Sequence, residues 1–172
     1  MADLTTPVTV NDGARSRVAG FTLVELMVVV SMVGIIAALA IPGMRQMILT
    51  QNVRSAAGDL QSSLYMARSE AIKRAADVQV VPVSSDWTKG WTVQLTDGTV
   101  LRNHSALSDQ LSAASGSTMT YRSDGRLSGN SAFNIVFKTS LTTVTARCVA
   151  IDLSGRPSVV YDTNGNPSDG CN

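Results

Sequence analysis

The feature that most constrains this chain is an apolar run near its N-terminus. Residues 21–41 read FTLVELMVVVSMVGIIAALAI and carry a single charge, Glu25. A helix rises about 1.5 Å per residue, so the run would extend roughly 30 Å, which is the thickness of a bilayer core. It therefore predicts a transmembrane helix, with the rest of the chain outside the bilayer.

Charges on either side of the run indicate its orientation. Arg15 and Arg17 precede it, and a lone Arg45 follows it closely. The positive-inside rule therefore favours a cytoplasmic N-terminal end and a head outside the cytoplasm. Residues 1–20 are polar and do not form a usual Sec leader, because the apolar stretch follows the small residue at the cleavage point instead of preceding it.

Glu25 argues against a plain signal anchor. A carboxylate in a spanning helix costs about 2.5–3.5 kcal/mol on insertion scales and usually has a partner. No Lys, Arg or His follows it until Arg45, so no ion pair is available one or two turns away. If the chain is cut after Gly20, the new amino group of Phe21 on a neighbouring copy becomes a plausible counter-charge for Glu25.

The helical pattern continues beyond the membrane and then changes to strands. Residues 42–76 are expected to continue the helix with an apolar stripe on one face: Val53, Ala57, Leu60, Leu64, Ala67 and Ala71. Pro42 and Gly43 are expected to kink or locally melt it. From residue 77 the apolar period is two, which predicts strands at 78–83, 91–95, 99–102, 119–122, 134–137, 143–151 and 158–161.

The predicted fold class is α+β, with one long helix packed on a small, mainly antiparallel sheet. The head would occupy residues 77–172, with tight turns at Asp97-Gly98 and Asp124-Gly125. Residues 103–118 are rich in Ser and Ala and are expected to form a loop with a helical turn at 106–111.

The run from Gly20 to Pro42 resembles the leader junction and N-terminal helix of type IV pilins and type II secretion pseudopilins. This resemblance implies that residues 1–20 are a leader and that a prepilin peptidase cuts between Gly20 and Phe21. The same enzyme would methylate the new amine of Phe21. The resemblance also implies that Glu25 docks incoming subunits in register, and it implies a pilin-like fold.

Four head segments are similar to the family of H-type pseudopilins and FimT/FimU minor pilins: ARSEAIKR (67–74), DWTKGWTVQL (86–95), SDGR (123–126) and LSGRP (153–157). The resemblance implies a minor pilin that joins other minor pilins and the major pilin in a tip or initiation complex. It would start in the inner membrane with a periplasmic head and end in a surface pilus that supports twitching. The alternatives are an H-type pseudopilin of a type II secretion system and a DNA-binding minor pilin of natural transformation.

The chain has two cysteines, Cys148 and Cys171. In an oxidising compartment they would pair and stabilise the head by about 3 kcal/mol on the chain-entropy model. Two free thiols are less favoured. A zinc site is less favoured still, because there is no CxxC and His104 is the sole histidine.

Residues 162–169 partly match the pattern of a calcium loop. Asp162, Asn164 and Asn166 follow its first three positions, and Asp169 would add an oxygen. Pro167 stands where the tight-turn glycine belongs, and the bidentate Glu is missing, so a turn-rich loop without metal is favoured.

DNA binding is not favoured by charge. The chain carries 14 basic and 13 acidic residues, and residues 141–172 contain two Arg against three Asp. Residues 155–158, GRPS, resemble a Gly-Arg-x-Arg motif of DNA-uptake members but have Ser158 in place of the second arginine. Arg156 remains the candidate DNA contact, with three cations that would have to converge in space: Arg122, Arg126 and Lys138.

Enzymatic chemistry is not indicated. The sequence has one histidine, no recognisable pair of carboxylates and no Gly-rich phosphate loop, so it predicts a non-enzymatic protein without a cofactor. Ser154 lacks the Gly-x-Ser-x-Gly context and is expected to be a turn residue. A signal-anchored periplasmic enzyme is the competing class.

Overall fold

The computed structural model describes residues 20–113, 116–129, 132–164 and 171. Apart from Gly20, the predicted leader at residues 1–20 lies outside these residues. The chain divides into two compact units between Ala40 and Ile41. The first unit contains the start of helix α1, and the second, the head unit, contains the rest of α1 together with the strands.

Helix α1 spans Leu23–Arg74 and continues without a break through Pro42 and Gly43. The local melting expected at this pair is therefore not seen, while a bend there stays a prediction. Every described side chain before Ile41 is exposed. Among the described residues, α1 is the one helix whose length and apolar composition would allow it to cross a membrane.

The second part of α1 is amphipathic, as predicted. All six residues of the predicted stripe are buried, and Leu49 and Ala56 extend it. They belong to one core cluster that includes residues from both sheets of the head. The helix ends at Arg74 because the next residue, Ala75, has a φ of 51°, which an α-helix cannot accommodate.

Eight strands are present in the described part of the head. They are β1 (Val78–Pro82), β2 (Trp91–Leu95), β3 (Val100–His104), β4 (Leu111–Ala113), β5 (Met119–Tyr121), β6 (Phe133–Thr139), β7 (Ala146–Ile151) and β8 (Pro157–Asp162). They form two four-stranded sheets with the orders β3-β2-β1-β5 and β4-β6-β7-β8. Every pairing between these strands is antiparallel.

The structure corrects three details of the sequence prediction. The strands form two sheets instead of one small sheet. The expected helical turn at 106–111 is absent, and strand β4 pairs there with β6, from Leu111 opposite Thr139 to Ala113 opposite Phe137. Residues 143–145 lie outside β7, which begins at Ala146. In each case the observed strands depend on pairing with residues distant in sequence, which the local pattern does not contain.

Two tryptophans anchor the first sheet to the core. Trp87 and Trp91 are buried with ring centroids 6.2 Å apart. Gly90 turns the chain between them with a φ of +94°, and a Cβ there would collide with the backbone of residues 104–105. His104 stacks on Trp91 with centroids 4.0 Å apart, and its Nε2 lies 3.7 Å from Oδ2 of Asp59 on α1. The edge strand β3 is thereby held against the helix.

Candidate functional site

The start of helix α1 is fixed by a cap at Thr22. The backbone N–H of Glu25 donates to Thr22 Oγ1 at 3.2 Å, and the N–H of Leu26 donates to the Thr22 carbonyl at 3.1 Å. A Thr followed three residues later by Glu is the capping-box spacing, a signal present in the sequence but missed there. Gly20 and Phe21 consequently lie outside the helix, and both residues are exposed.

Glu25 lies in the exposed first turn of α1. A carboxylate at this end of a helix interacts favourably with the positive end of the helix dipole. No ion pair joins Glu25 to any residue in the described part of the chain. Its proposed partner, a Phe21 amine, would come from a second subunit.

Two arginine-bearing turns meet beside α1 in the head. The SDGR turn (residues 123–126) follows β5 of the first sheet, and the LSGRP turn (residues 153–157) joins β7 to β8 of the second. Gly125 and Gly155 have φ values of +76° and +78°. A Cβ on Gly155 would collide with the carbonyl oxygen of Gly125, so the glycine allows the two turns to touch.

Helix α1 binds both turns through side chains that the sequence analysis did not single out as contacts. Arg68 Nε donates to the carbonyl of Gly125 at 3.0 Å, and the Tyr65 hydroxyl donates to the carbonyl of Pro157 at 3.1 Å. Tyr65 and Arg68 are three residues apart, so they lie on one face of the helix beside the buried stripe. Only that spacing could have suggested them.

The LSGRP turn is held by Asp152, the residue directly before it. Its Oδ1 accepts the Ser154 hydroxyl at 2.6 Å and the backbone N–H of Arg156 at 3.0 Å. These hydrogen bonds, the Ser154 hydroxyl first, hold the pKa of Asp152 below its ordinary value. Ser154 is thus a turn residue, as predicted. Behind the turns, burial raises the pKa of the Tyr121 hydroxyl.

Of the four candidate DNA-contacting cations, two lie in the touching turns, one pairs with a carboxylate and one is distant. Arg126 and Arg156 occupy the touching turns, and neither guanidinium forms a hydrogen bond or salt bridge with a described residue. Arg122 pairs with Asp124 at 3.4 Å. Lys138 lies five residues along β6 from Phe133, at the end away from the turns, roughly 16 Å distant at about 3.3 Å per residue. Lys138 therefore does not converge with the arginines, as the DNA-binding hypothesis would have required.

The two cysteines form the predicted disulfide. Cys148 on β7 bonds to Cys171 with their Cα atoms 5.5 Å apart, and the pair packs on Val136 and Ala146. The disulfide therefore covers the face of the second sheet that points away from the main core.

The calcium-loop candidates are only partly described. Asp162 is buried, and its Oδ1 accepts the backbone N–H of Asn164 at 3.2 Å. Asn166, Pro167 and Asp169 lie outside the described residues. Among the residues that the structure describes, no three His, Cys, Asp or Glu side chains cluster as a metal site would require.

Comparison with known families gives two matches. The family described as type II transport protein GspH matches residues 56–155, more than half of the chain. The prokaryotic N-terminal methylation motif matches residues 15–41, a range that includes the Gly20–Phe21 bond and Glu25.

Solved structures show the same fold. The minor pilin FimU of Pseudomonas aeruginosa is similar in two crystal forms. One is 22% identical with a TM-score of 0.57 and covers 71% of this chain and 96% of its own. The other is 23% identical with a TM-score of 0.54 and covers 69% and 99%. The minor pseudopilin EpsH of Vibrio cholerae is 15% identical with a TM-score of 0.50 and covers 64% and 97%.

Proposed function

The chain belongs to the family of type II transport protein GspH, and from that premise we propose that it is a minor pilin of a type IV pilus. Pilins and pseudopilins are structural proteins and not enzymes. The observation that favours a pilus over a secretion system is the closer fit to the FimU minor pilin, with a TM-score of 0.57 against 0.50 for the EpsH pseudopilin.

The junction at residues 20–25 supports processing by a prepilin peptidase. The cap at Thr22 leaves the Gly20–Phe21 bond before the helix and between two exposed residues, which suits cleavage by a peptidase. Cleavage there would free the amine of Phe21 for methylation. The N-terminal end would face the cytoplasm and the head the periplasm, because the flanking arginines precede the apolar run.

Assembly would proceed by lateral packing of the N-terminal helices. Every described side chain of residues 21–40 is exposed in the isolated chain, so this surface is available first to lipid and then to neighbouring helices. Gly34, Ala37 and Ala38 would permit close helix approach. Inside such a bundle Glu25 loses water, and pairing with the Phe21 amine of a neighbour would reduce the charge cost and set the axial register.

The head would make the contacts that identify a minor pilin to its partners. We expect those partners to be other minor pilins and the major pilin, in a tip or assembly-initiation complex. The two touching turns and the disulfide-bonded second sheet give the head a fixed outer surface for such contacts.

Two alternatives remain specific enough to test. An H-type pseudopilin of a type II secretion system is supported by the family match and by the fold of EpsH. A DNA-binding minor pilin is supported by the adjacent Arg126 and Arg156. Asp124 lies in one of these turns and Asp152 directly precedes the other. Both reduce the positive potential, so this alternative is less favoured.

Deletion of the gene distinguishes a pilus subunit from a secretion pseudopilin and from a DNA receptor. We expect loss of surface pili and twitching, measured by electron microscopy and a motility assay, with secreted enzymes and DNA uptake unchanged. Exported enzymes trapped in the periplasm of piliated cells would instead identify a pseudopilin. Loss of DNA uptake in piliated cells, reproduced by Arg156→Gln alone, would identify a DNA receptor.

A further inference from the structure

A groove of about 380 Å³ lies between helix α1 and strand β7 within the head unit. We call it the arginine groove. The Gln46 side chain donates to the carbonyl of Thr143 at 3.3 Å, which ties the helix to the segment that precedes β7. The side chains that line the groove include two guanidinium groups and two amides, and none is a carboxylate: Gln46, Met47, Thr50, Gln51, Arg54 and Arg147.

Neither arginine of the groove has a carboxylate partner within the described chain. Arg54 is exposed and Arg147 is half-buried, and neither forms a salt bridge with a described residue. The helix offers no counter-charge nearby, because residues 42–58 contain no Asp or Glu. Two like charges that line one groove repel each other, so an anionic group placed between them would be stabilised.

Arg147 is positioned by stacking on Tyr161. Its guanidinium carbon lies 3.7 Å from the centre of the ring, and the two residues are opposite each other in the pairing of β7 with β8. Stacking uses the face of the guanidinium and leaves its N–H edge available as a donor. Such an edge binds a planar carboxylate through two parallel hydrogen bonds. The groove therefore holds a donor that is oriented before any partner arrives.

Apolar side chains around the arginine groove indicate that its partner is a protein. Met47 in the lining is 76% exposed, and Met44 and Ile48, within one turn of it, are 64% and 52% exposed. Methionine, arginine and tyrosine are enriched at protein interfaces, whereas Lys, Asp and Glu are depleted there. A small anion would use the two arginines and leave these apolar side chains in water. A peptide segment would cover both.

The carboxylates of the head argue against a second copy of this chain as the partner. Asp109 is exposed and forms no hydrogen bond or salt bridge with a described residue. Every other described carboxylate of the head unit already accepts a hydrogen bond within the chain: Asp59, Glu70, Asp77, Asp86, Asp97, Asp124, Asp152 and Asp162. A second copy would therefore offer the groove little besides Asp109.

We propose that the arginine groove docks a segment of a different subunit of the same fibre, one that carries an Asp or Glu beside an apolar side chain. The carboxylate lies between Arg54 and Arg147 and pairs with the free edge of the stacked guanidinium. The apolar neighbour packs on Met47. The proposal rests on the proposed function, because it takes its partner from the fibre that this function implies.

Carbodiimide cross-linking tests the contact directly. The reagent joins an amine to a carboxylate where the two touch, so Arg54→Lys supplies a reactive amine in the groove. Arg102→Lys is the matched control, because Arg102 is exposed on β3 and forms no hydrogen bond or salt bridge with a described residue. Cells that produce the full chain are treated, and linked peptides from their membranes and sheared fibres are identified by mass spectrometry.

The amine of Arg54→Lys should be linked to an Asp or Glu of another subunit, and the amine of Arg102→Lys should not. The absence of any protein carboxylate linked at residue 54 would overturn the proposal. A link to Asp109 of a second copy, or to lipid alone, would overturn it equally.

Charge reversal measures what the contact contributes to assembly. Arg54→Glu sets two carboxylates against each other, so its amount in sheared fibres should fall about tenfold while its amount in the membrane stays at the wild-type level. Arg102→Glu, the control, should enter fibres normally. Replacing the cross-linked carboxylate of the partner by Arg should restore the incorporation of Arg54→Glu.

Failure of the groove and failure of the proposed function give different results. A wild-type chain that is absent from surface fibres would contradict the proposed function. A wild-type chain that enters fibres, with Arg54→Glu entering them equally well, would contradict the groove contact alone.

Discussion

Gly155 sits against the carbonyl oxygen of Gly125, where turns from the two sheets meet. Its φ of +78° lies in the left-handed region, and no side chain fits between the turns. Arg68 binds the same carbonyl from the helix. One carbonyl oxygen therefore contacts both turns and the helix. A substitution at Gly155 tests how much this contact stabilises the head.

Gly155→Ala should destabilise the head by roughly 2–4 kcal/mol, because it adds both backbone strain and a backbone clash. Gly98→Ala is the matched control, since Gly98 has a φ of +90° with nothing within 4 Å of the added methyl group. It should cost about 1 kcal/mol from strain alone. Urea unfolding of the full chain in detergent, followed by tryptophan fluorescence, measures both. Equal costs would contradict the close contact of the turns.

At the scale of elements, β7 is an inner strand of the second sheet. It pairs with β6 on one side and with β8 on the other. It also carries Cys148, whose disulfide to Cys171 fixes the C-terminal end of the chain to the sheet. The covalent link therefore reinforces one of the two inner strands of this sheet.

Removing the disulfide should destabilise the head without changing its fold. For a sequence separation of 23, Cys148→Ala with Cys171→Ala should cost about 3 kcal/mol in the free energy of unfolding. The same urea titration measures the loss. Reducing the wild-type protein should produce a similar loss, while the double variant should not respond to the reductant. An unchanged midpoint in the variant would contradict a stabilising role.

The elements were predictable where one local pattern dominated. The 3.6-residue period identified the buried stripe of α1, and alternation identified seven of the strands. Strand β4 was missed because its three residues alternate too briefly in a Ser- and Ala-rich segment, and its existence depends on pairing with β6. The division into two sheets was missed for the same reason, since partners distant in sequence decide which sheet a strand joins.

The candidate sites were likewise predictable only where a local motif identified them. The processing junction and the cysteine pair could be predicted because each is a short motif or a unique pair of residues. The contact of Arg126 with the turn of Arg156, and the failure of Lys138 to join them, could not be predicted. They depend on the approach of Gly125 and Gly155 between two sheets, which no spacing along the chain encodes.

At the scale of the whole molecule, the chain combines an apolar helix segment with a head that has its own core. The boundary between the two units falls at residues 40–41, next to Pro42. The first unit buries no described side chain by itself, so its apolar surface requires lipid or other subunits. The central claim is that this surface, with Glu25 in it, serves assembly into a fibre.

The most direct test measures how much of the protein enters sheared surface fibres. Glu25→Ala should insert into the membrane at wild-type levels and be depleted from fibres by at least about tenfold, because an unpaired buried charge replaces a paired one on the Phe21 amine. Glu70→Ala, which removes a carboxylate paired with Lys73 and Arg74 further along α1, is the control and should enter fibres normally. Normal incorporation of Glu25→Ala would contradict the account.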